Sequence, residues 1–288
     1  MCTAATYQTK CFYFGRNLDY ERGFGEQVTV TPRHFPLPMR HMEDMPCHYA
    51  MIGMASVQAS YPLYYDAVNE KGLCIAGLNF VRSAVYSPEV PGRTNVTQFE
   101  LIPWLLVDRH RCVAVEQTAE GLRIHDDPAG VLTNEPPFPL QLFALNNYAH
   151  LSPRPPENRF APALPLAEYS RGMGAMGLPG DLSSQSRFIR TAFTRMNSVS
   201  GEGEGESVSQ LFHILGAAAQ QRGCCVLADG ACELTLYTSC CNADTGVYYY
   251  TTYDSGHVAA VDMHREDLDG ESLACYPLDS RWHAAYQN

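Results

Sequence analysis

Residues 1–20, MCTAATYQTKCFYFGRNLDY, form the stretch of this chain that decides its fold. A small residue after Met1 allows the initiator methionine to be removed, which leaves Cys2 with both a thiol and a free α-amine. An α-amine has a pKa of about 8, against about 10.4 for a lysine side chain. One residue can therefore supply a nucleophile and a base that is partly unprotonated at neutral pH, as in N-terminal nucleophile catalysis. Many proteins begin Met-Cys by chance, so this prediction depends on the residues that accompany Cys2.

Two charged side chains follow Cys2 at a spacing that suits a hairpin. A strand over residues 2–7 and a second strand near residues 12–14, joined by a short turn, would bring Arg16 and Asp19 back beside Cys2. Arg16 would favour the thiolate, because a nearby cation stabilises the charged form of an acid. Asp19 would accept a hydrogen bond from the α-amine and hold it in place. The alternative interpretation is an ordinary surface Arg–Asp pair after a strand.

The composition of the chain narrows the classes of function. The chain has 288 residues, 45% of them hydrophobic, which is enough for a sizeable core. Its formal net charge of −11 argues against a basic surface that binds nucleic acid. No stretch approaches 18 apolar residues, and the first residues lack the basic and apolar regions of a signal peptide. We therefore expect neither a membrane span nor a cleaved leader.

Cysteine usage predicts the redox compartment. The chain has eleven cysteines, and none forms the Cys-x-x-Cys pair typical of zinc ribbons and thioredoxin-like proteins. Most of them lie among apolar neighbours, where free thiols behave as small hydrophobic groups. The pattern predicts a protein of the reducing cytoplasm, with ten structural cysteines and one reactive cysteine.

Strand-like patterns occupy both ends of the chain, and helical patterns lie between them. Strands are predicted at residues 27–31, 48–53, 73–78, 234–238, 247–252 and 258–263, and a hairpin at 111–125. One helix is predicted after the possible caps Ser183 and Ser184, and a second from Val208 to a stop at Gly223. An acidic linker at 201–206 would join them, and Pro-rich loops are predicted at 134–139 and 152–165. This order predicts a single α+β domain over residues 1–288.

Several motifs in order make the chain similar to a known family, the choloylglycine hydrolases. They are YFGRNLDY at 13–20, EKGLCIAGLNF at 70–80, GVLTN at 130–134, LPGDLSS at 178–184, SRF at 186–188 and YYYTTYD at 248–254. This family of N-terminal nucleophile enzymes includes bile salt hydrolases and penicillin V acylases. The resemblance covers nearly the whole chain. It implies a four-layer αββα sandwich of two antiparallel sheets between helix layers, an amidase without metal or cofactor, and a homotetramer.

The resemblance also implies a catalytic role for six residues. They are Cys2, Arg16, Asp19, Asn79, Asn134 and Arg187. Asn79 and Asn134 would lie near the oxyanion, where amide or backbone N–H donors stabilise the developing charge. Arg187 would complete the polar site from the start of a helix.

The substrate implied by the resemblance is a conjugated bile acid. Bile salt hydrolases typically have an asparagine at the position of Asn79, whereas penicillin V acylases tend to have a tyrosine there. A rigid, apolar steroid needs a pocket rich in hydrophobic side chains. Tyr20, Phe24, Tyr61, Phe138 and a loop containing Met173 and Met176 are the expected pocket residues. Arg171 would pair with the carboxylate of a glycine conjugate, which implies a preference for glycine over taurine.

The chain departs from the family pattern near residues 105–108. Family members usually carry roughly thirty to forty more residues there, which contribute a helix and the approach to a central strand. We predict that residues 104–107 become that strand and residues 108–111 its turn. The loss of the helix would expose apolar sheet surface, which is a liability for stability and solubility.

Three alternative functions remain open at this point. The same mechanism would serve a penicillin V or N-acyl homoserine lactone acylase. A homologue impaired by the missing segment would bind bile acids without turning conjugates over. A thiol-rich redox or metal protein is a third reading, against which the cysteine spacing argues.

Overall fold

The N-terminal hairpin forms the centre of a six-stranded antiparallel sheet. We analysed a computed structural model, which describes residues 1–80, 82–106 and 113–288. In the hairpin, β1 (Cys2–Gln8) pairs with β2 (Phe12–Tyr20), and Cys2 faces Leu18. The sheet is completed by β9 (Val131–Leu132), β10 (Leu234–Asn242), β11 (Val247–Thr252) and β12 (Ala259–Asp262). Its order is β12-β11-β10-β2-β1-β9, so β1 and β2 lie between other strands.

A second antiparallel sheet has five strands in the order β13-β3-β4-β5-β6. Its strands are β3 (Glu26–Thr31), β4 (Met51–Gln58), β5 (Tyr61–Asn69), β6 (Cys74–Ala76) and β13 (Ala274–Pro277). A separate two-stranded sheet pairs β7 (Val113–Thr118) with β8 (Gly121–Asp126). The described helices are α1 (Leu101–Leu105), α2 (Phe138–Ala144), α3 (Ser184–Asn197) and α4 (Glu204–Gly216). Single 3₁₀ turns lie at Leu145–Tyr148, Met173–Ala175 and Met263–Arg265. None of the described helices is long and apolar enough to cross a lipid bilayer.

Three apolar clusters hold the layers together. The helix–sheet core lies where α3 and α4 pack on the first sheet, and it includes Tyr13, Phe188 and Leu211. The inter-sheet core joins the two sheets and contains Cys2. The outer cluster covers the far face of the second sheet; its buried members are Leu37, Met51, Ala55, Tyr64, Ala67, Ile102 and Leu106. The α+β prediction with two stacked antiparallel sheets is therefore confirmed.

The outer layer over the second sheet is thin. It consists of the segment around Leu37 and the five-residue helix α1, whereas two helices of 13 and 14 residues cover the first sheet. The strand predicted at residues 104–107 is wrong for its described part, because Trp104 and Leu105 lie in α1 and Leu106 in the turn after it. The Asn69 amide donates to the carbonyl of Leu106 at 2.5 Å and fixes this turn. Residues 107–112, which include the predicted turn and the start of the predicted hairpin, lie outside the described residues.

Three helix boundaries differ from the sequence-based prediction for identifiable reasons. Helix α2 begins inside the predicted loop at 134–139, since proline is well accommodated in the first turn of a helix. Helix α4 begins at Glu204, within the predicted acidic linker, because acidic residues in the first turn complement the helix dipole. It ends at Gly216 rather than Gly223. There the Asn17 amide donates to the carbonyl of Leu215 at 2.9 Å and satisfies a terminal acceptor.

Candidate active site

The Cys2 thiol lies in the inter-sheet core beside a buried cation. Arg16 faces Ala4 across the hairpin, and its Nη2 donates to Cys2 Sγ at 2.6 Å. The other terminal nitrogen, Nη1, donates to the carbonyls of Tyr65 at 2.8 Å and Gly77 at 2.9 Å in the second sheet. Both Cys2 and Arg16 are buried. The guanidinium is therefore fixed by the second sheet and directed at the sulfur.

No carboxylate lies within ion-pair distance of Arg16 in the described part of the chain. Burial alone disfavours the Arg16 cation, but the Cys2 sulfur, followed by Tyr237 and Asp66, raises the pKa of Arg16 above its usual value. The sulfur is thus the nearest counter-charge available to this guanidinium. The contact therefore places a buried positive charge directly against the nucleophilic atom.

The structure carries Met1, so the nitrogen of Cys2 is still a peptide nitrogen. It donates to Asn134 Oδ1 at 2.7 Å. The ammonium of Met1 donates to the Asp19 carbonyl at 2.7 Å and to the Glu233 carboxylate. Removal of Met1 would turn the Cys2 nitrogen into an α-amine that already has Asn134 Oδ1 as an acceptor.

Arg187 connects the nucleophile to its neighbours from the first turns of α3. Its Nη1 donates to the Cys2 carbonyl at 2.7 Å and to Thr3 Oγ1 at 2.6 Å. Its Nη2 donates to Asn134 Oδ1 at 2.8 Å. Burial lowers the pKa of Arg187, and the carboxylate of Asp19, 3.7 Å from Nη1, opposes that effect. Arg187 therefore fixes both the backbone of Cys2 and the amide that holds the Cys2 nitrogen.

The Asp19 carboxylate does not contact the nitrogen of Cys2, which is a peptide nitrogen while Met1 is present, so its hydrogen bond to the α-amine stays a prediction. Its Oδ1 accepts from the Thr235 hydroxyl at 2.6 Å, and its Oδ2 accepts from the Gln220 amide at 3.2 Å. Burial raises the pKa of Asp19, and the attraction of Arg187 opposes that shift. Alternate residues of a strand face opposite sides of the sheet, so Asp19 faces the helices while Arg16 faces the second sheet. In this structure Asp19 balances the charge of Arg187.

Asn134 lies beside Cys2, and its predicted place near the oxyanion stays a prediction. Its Oδ1 accepts from Cys2 and Arg187, its Nδ2 donates to the carbonyl of Asn79 at 2.7 Å, and its backbone N–H donates to Ser184 Oγ at 2.8 Å. The second N–H of the Nδ2 group has no acceptor among the described residues, so Asn134 keeps one donor beside Cys2. Asn79 lies next to it with an exposed side chain, and no hydrogen bond of the Asn79 amide group is found among the described residues.

The expected pocket residues separate into two groups. Tyr20 and Phe24 pack edge to face, with their ring centroids 5.2 Å apart, at the end of β2. Tyr61 packs against the outer cluster on the far face of the second sheet, away from Cys2. Phe138 is only 1% exposed and packs in the helix–sheet core against Phe188. Phe138 is therefore corrected from a pocket residue to a core residue, because α2 is buried there. Tyr61 lies half-buried beside the outer cluster, because alternation in β5 directs it to that face.

The loop that carries Arg171 lies at the surface. Arg171 is exposed, and the 3₁₀ turn Met173–Ala175 follows it. Met173 is half-buried, and Met176 is exposed.

A cavity of about 600 Å³ opens at the same end of the sheets as Tyr20. It is lined by Glu21, Glu26, Arg222, Leu234, Leu236, Tyr253 and neighbouring residues, and none of the six predicted catalytic residues lines it. Two of its lining residues, Leu236 and Leu278, pack against the inter-sheet core that contains Cys2. Within the described residues, no three His, Cys, Asp or Glu side chains are grouped so that they could hold a metal ion.

Sequence reasoning missed several residues that build the site. They are Thr3, Ser184, Gln220, Glu233 and Thr235. Glu233 and Thr235 lie at the start of β10, which pairs with β2 so that Thr235 faces Asp19. The pairing of β10 with β2 was the missing information, because the two strands are more than 200 residues apart along the chain.

Comparison with known proteins agrees with this geometry. The family model "Linear amide C-N hydrolases, choloylglycine hydrolase family" matches residues 2–111 and 104–276. A bile salt hydrolase/transferase from Lactiplantibacillus plantarum is 49% identical over 316 residues, covering 97% of this chain and 98% of the relative. A bile salt hydrolase/transferase from Clostridium perfringens is 32% identical and covers 96% of each chain.

Solved structures agree as well. The crystal structure of the C2A mutant of a conjugated bile acid hydrolase from Clostridium perfringens superposes with a TM-score of 0.91 at 30% identity, covering 100% of both chains. A penicillin V acylase from Agrobacterium tumefaciens has a TM-score of 0.73 at 18% identity, covering 95% of this chain and 90% of that one, and shares the fold. With the buried Cys2 and Arg16 at its centre, the chain belongs to the choloylglycine hydrolase family of linear amide C–N hydrolases.

Proposed function

We propose that this chain hydrolyses the amide bond of glycine- and taurine-conjugated bile salts, with Cys2 as the nucleophile once Met1 is removed. The observation that carries the proposal is the 2.6 Å contact between Arg16 Nη2 and Cys2 Sγ. It occurs in a chain that is 49% identical, over 97% of its length, to a relative named bile salt hydrolase/transferase.

The chemistry follows from the positions of the sulfur and the nitrogen of Cys2. The sulfur attacks the amide carbonyl, and the thiol proton passes to the α-amine, which Asn134 Oδ1 orients. The α-amine then gives this proton to the leaving nitrogen, the C–N bond breaks, and glycine or taurine departs. Water hydrolyses the remaining acyl-cysteine thioester and releases the bile acid. We assign the oxyanion contact to the side-chain amides of Asn79 and Asn134, each of which has an N–H without an acceptor among the described residues.

The decisive experiment compares the wild-type chain with Cys2→Ala on glycocholate and taurocholate. We expect Cys2→Ala to retain its fold and lose hydrolysis, whereas Cys47→Ala, which removes an exposed thiol, keeps full activity. Intact-mass measurement should detect the loss of Met1 and, after rapid quenching, an acyl adduct. Full hydrolysis by Cys2→Ala would overturn the mechanism. Binding of deoxycholate without turnover by the wild-type chain would favour the impaired homologue, and faster turnover of penicillin V would favour the acylase.

A second reaction is supported by the names of the relatives, which are called hydrolase/transferase. An amine in place of water would attack the same acyl-cysteine and give a new amide. Incubation of glycocholate with an excess of a second amino acid, followed by mass spectrometry of the products, measures this transfer.

We also propose a cytoplasmic location and a homotetramer. Nine of the described cysteines, among them Cys2, Cys11, Cys240 and Cys241, carry free thiols, as expected in a reducing compartment. Exposed apolar side chains on β8 and α2, including Leu122, Ile124 and Phe143, provide surface that an assembly would bury. Light scattering coupled to gel filtration measures the assembly.

The proposed preference for glycine conjugates depends on Arg171, whose side chain is exposed and accessible to a substrate carboxylate. The ratio of kcat/KM for glycocholate and taurocholate measures this preference. A strong preference for taurocholate would contradict the proposed role of Arg171.

A further inference from the structure

Glu233 places a carboxylate next to the N-terminus, and none of the predicted catalytic roles uses it. Its side chain is only 8% exposed and pairs with the ammonium of Met1. The Glu233 backbone is fixed because its N–H donates to the Cys225 carbonyl at 2.9 Å, across the ladder that pairs Val226 with Cys232. The carboxylate is therefore held in position before the mature N-terminus exists.

Backbone geometry limits how far this carboxylate can lie from the mature amine. The nitrogens of consecutive residues are at most about 4 Å apart. The Met1 nitrogen contacts Glu233 directly, so the Cys2 nitrogen lies at most about 6 Å from the same carboxylate. At that distance the attraction between an ammonium and a carboxylate still amounts to one or more kcal/mol near a protein surface, on the order given by Coulomb's law.

The other charged groups around the Cys2 nitrogen are already paired or are cations. Arg16 from β2 and Arg187 from α3 both oppose protonation of an amine. The Asp19 carboxylate from β2 is engaged by Thr235, Gln220 and Arg187. On the segment before β10, burial raises the pKa of the Cys225 thiol, and the charge of Glu233 adds to this effect. Asn134, from the segment after β9, is neutral.

We infer that Glu233 is a positioning residue for the catalytic base: its carboxylate attracts the α-ammonium of mature Cys2 and offsets the two arginines. The base then takes up a proton at a higher pH than it would beside the arginines alone. The inference relies on the proposed function only for the role of the α-amine as base. Glu233 acts through the amine and makes no contact with the sulfur in this structure.

The test measures the amine itself, without substrate. Cysteine labelled with ¹⁵N gives an α-amine signal that is separated from the backbone amide nitrogens of the ten other cysteines. We expect the pH at which this amine is half protonated to fall by about 1 unit in Glu233→Gln. Glu233→Asp should give an intermediate value, and Glu202→Gln, which changes an exposed glutamate, should match the wild type.

The pH dependence of kcat/KM supplies a second readout. Its acidic limb, which reports the base in the free enzyme, should move to lower pH by the same amount in Glu233→Gln. An unchanged amine titration in Glu233→Gln and Glu233→Asp would overturn the inference. Since Glu233→Asp retains the charge, it serves if the glutamine variant does not fold. A wild-type chain that cleaves no bile salt would contradict the proposed function but leave the amine titration as a valid test.

Discussion

At the scale of single residues, the site separates its buried charges onto two faces of one sheet. Arg16 faces the second sheet and the Cys2 sulfur, and Arg187 faces the same residue from the helix side. Each cation has its own counter-charge, the sulfur for Arg16 and Asp19 for Arg187. Removal of one partner from a buried pair is costly because it leaves the other charge without compensation.

This arrangement predicts different outcomes for single and double variants at Arg187. Arg187→Met leaves the Asp19 carboxylate buried without a cation, and we expect the free energy of unfolding to fall by about 3–5 kcal/mol. The double variant Arg187→Met with Asp19→Asn removes both charges and should recover much of that stability. Both variants should be inactive, because Arg187 also orients Cys2 and Asn134. Urea unfolding and glycocholate hydrolysis measure the two effects, and equal stability of both variants would contradict the pairing.

Another residue-scale prediction concerns Asp127, in the turn before β9. Burial raises the pKa of Asp127 to about 6, although it accepts backbone N–H groups such as that of Gly130 at 2.8 Å. The folded chain therefore binds this proton more tightly than the unfolded chain. Protonated Asp127 therefore adds to the free energy of unfolding. This contribution is fully present below about pH 4 and is lost as the pH rises through 6.

Asp127→Asn keeps the acceptor oxygen and removes the titration. Compared with the variant, the wild-type chain should lose about 2 kcal/mol of unfolding free energy between pH 4 and pH 7. Urea unfolding at several pH values measures the difference. Parallel pH profiles for the two proteins would show that Asp127 does not titrate in this way.

At the scale of secondary-structure elements, the sequence predicts a helix or strand where neighbouring residues alone carry its signal. The Ser183 cap and the apolar stripe of α3 predict that helix, and alternation predicts β3. The sequence does not predict the start of α2, because a Pro-rich stretch is compatible with a loop and with the first turn of a helix.

The sequence predicts the site residues that one hairpin brings together. It does not predict those that depend on the pairing of strands far apart in the chain. Arg16 comes beside Cys2 through a turn of a few residues, so its position followed from the sequence. Glu233, Thr235 and Gln220 reach the site only because β10 pairs with β2. Tyr61 was misplaced for a related reason, since the face of a strand that a residue occupies depends on its register.

The cap of α3 gives a prediction at this scale. Ser183 Oγ accepts from the backbone N–H of Ser186 at 3.4 Å. Ser183→Ala should lower the unfolding free energy by about 1 kcal/mol, and Ser183→Asp should restore it. We expect kcat/KM to change by less than about twofold, because Arg187 is held by several contacts beyond this cap. A large loss of activity in Ser183→Ala would mean that the cap, rather than those contacts, positions Arg187.

At the scale of the whole molecule, the two faces of the sandwich are covered unequally. Two long helices cover the first sheet. Over the second sheet, the described residues form a five-residue helix and the segment around Leu37. The alignment with the Lactiplantibacillus plantarum relative spans 316 residues and this chain has 288, so at least 28 positions of the relative have no counterpart here. The two family-model matches overlap at residues 104–111, near the predicted site of the missing segment.

The positions of the relative that this chain lacks can be inserted, and the exposed apolar surface predicts the effect of that insertion. The outward side chains of β8 include Leu122 and Ile124, which are 56% and 65% exposed, and apolar surface of this kind binds hydrophobic dyes and promotes association. Insertion of the relative's segment between Leu106 and Val113 should therefore reduce binding of anilinonaphthalene sulfonate by about twofold. It should also steepen the dependence of unfolding free energy on urea, because more surface is buried. A control insertion of equal length rich in glycine and serine should change neither. The hydrogen-bond partners of Cys2, Arg16, Asn134 and Arg187 among the described residues do not include Leu106 or Val113, so we expect kcat to stay the same. A loss of activity on insertion would mean that the short form is the one adapted to its substrate.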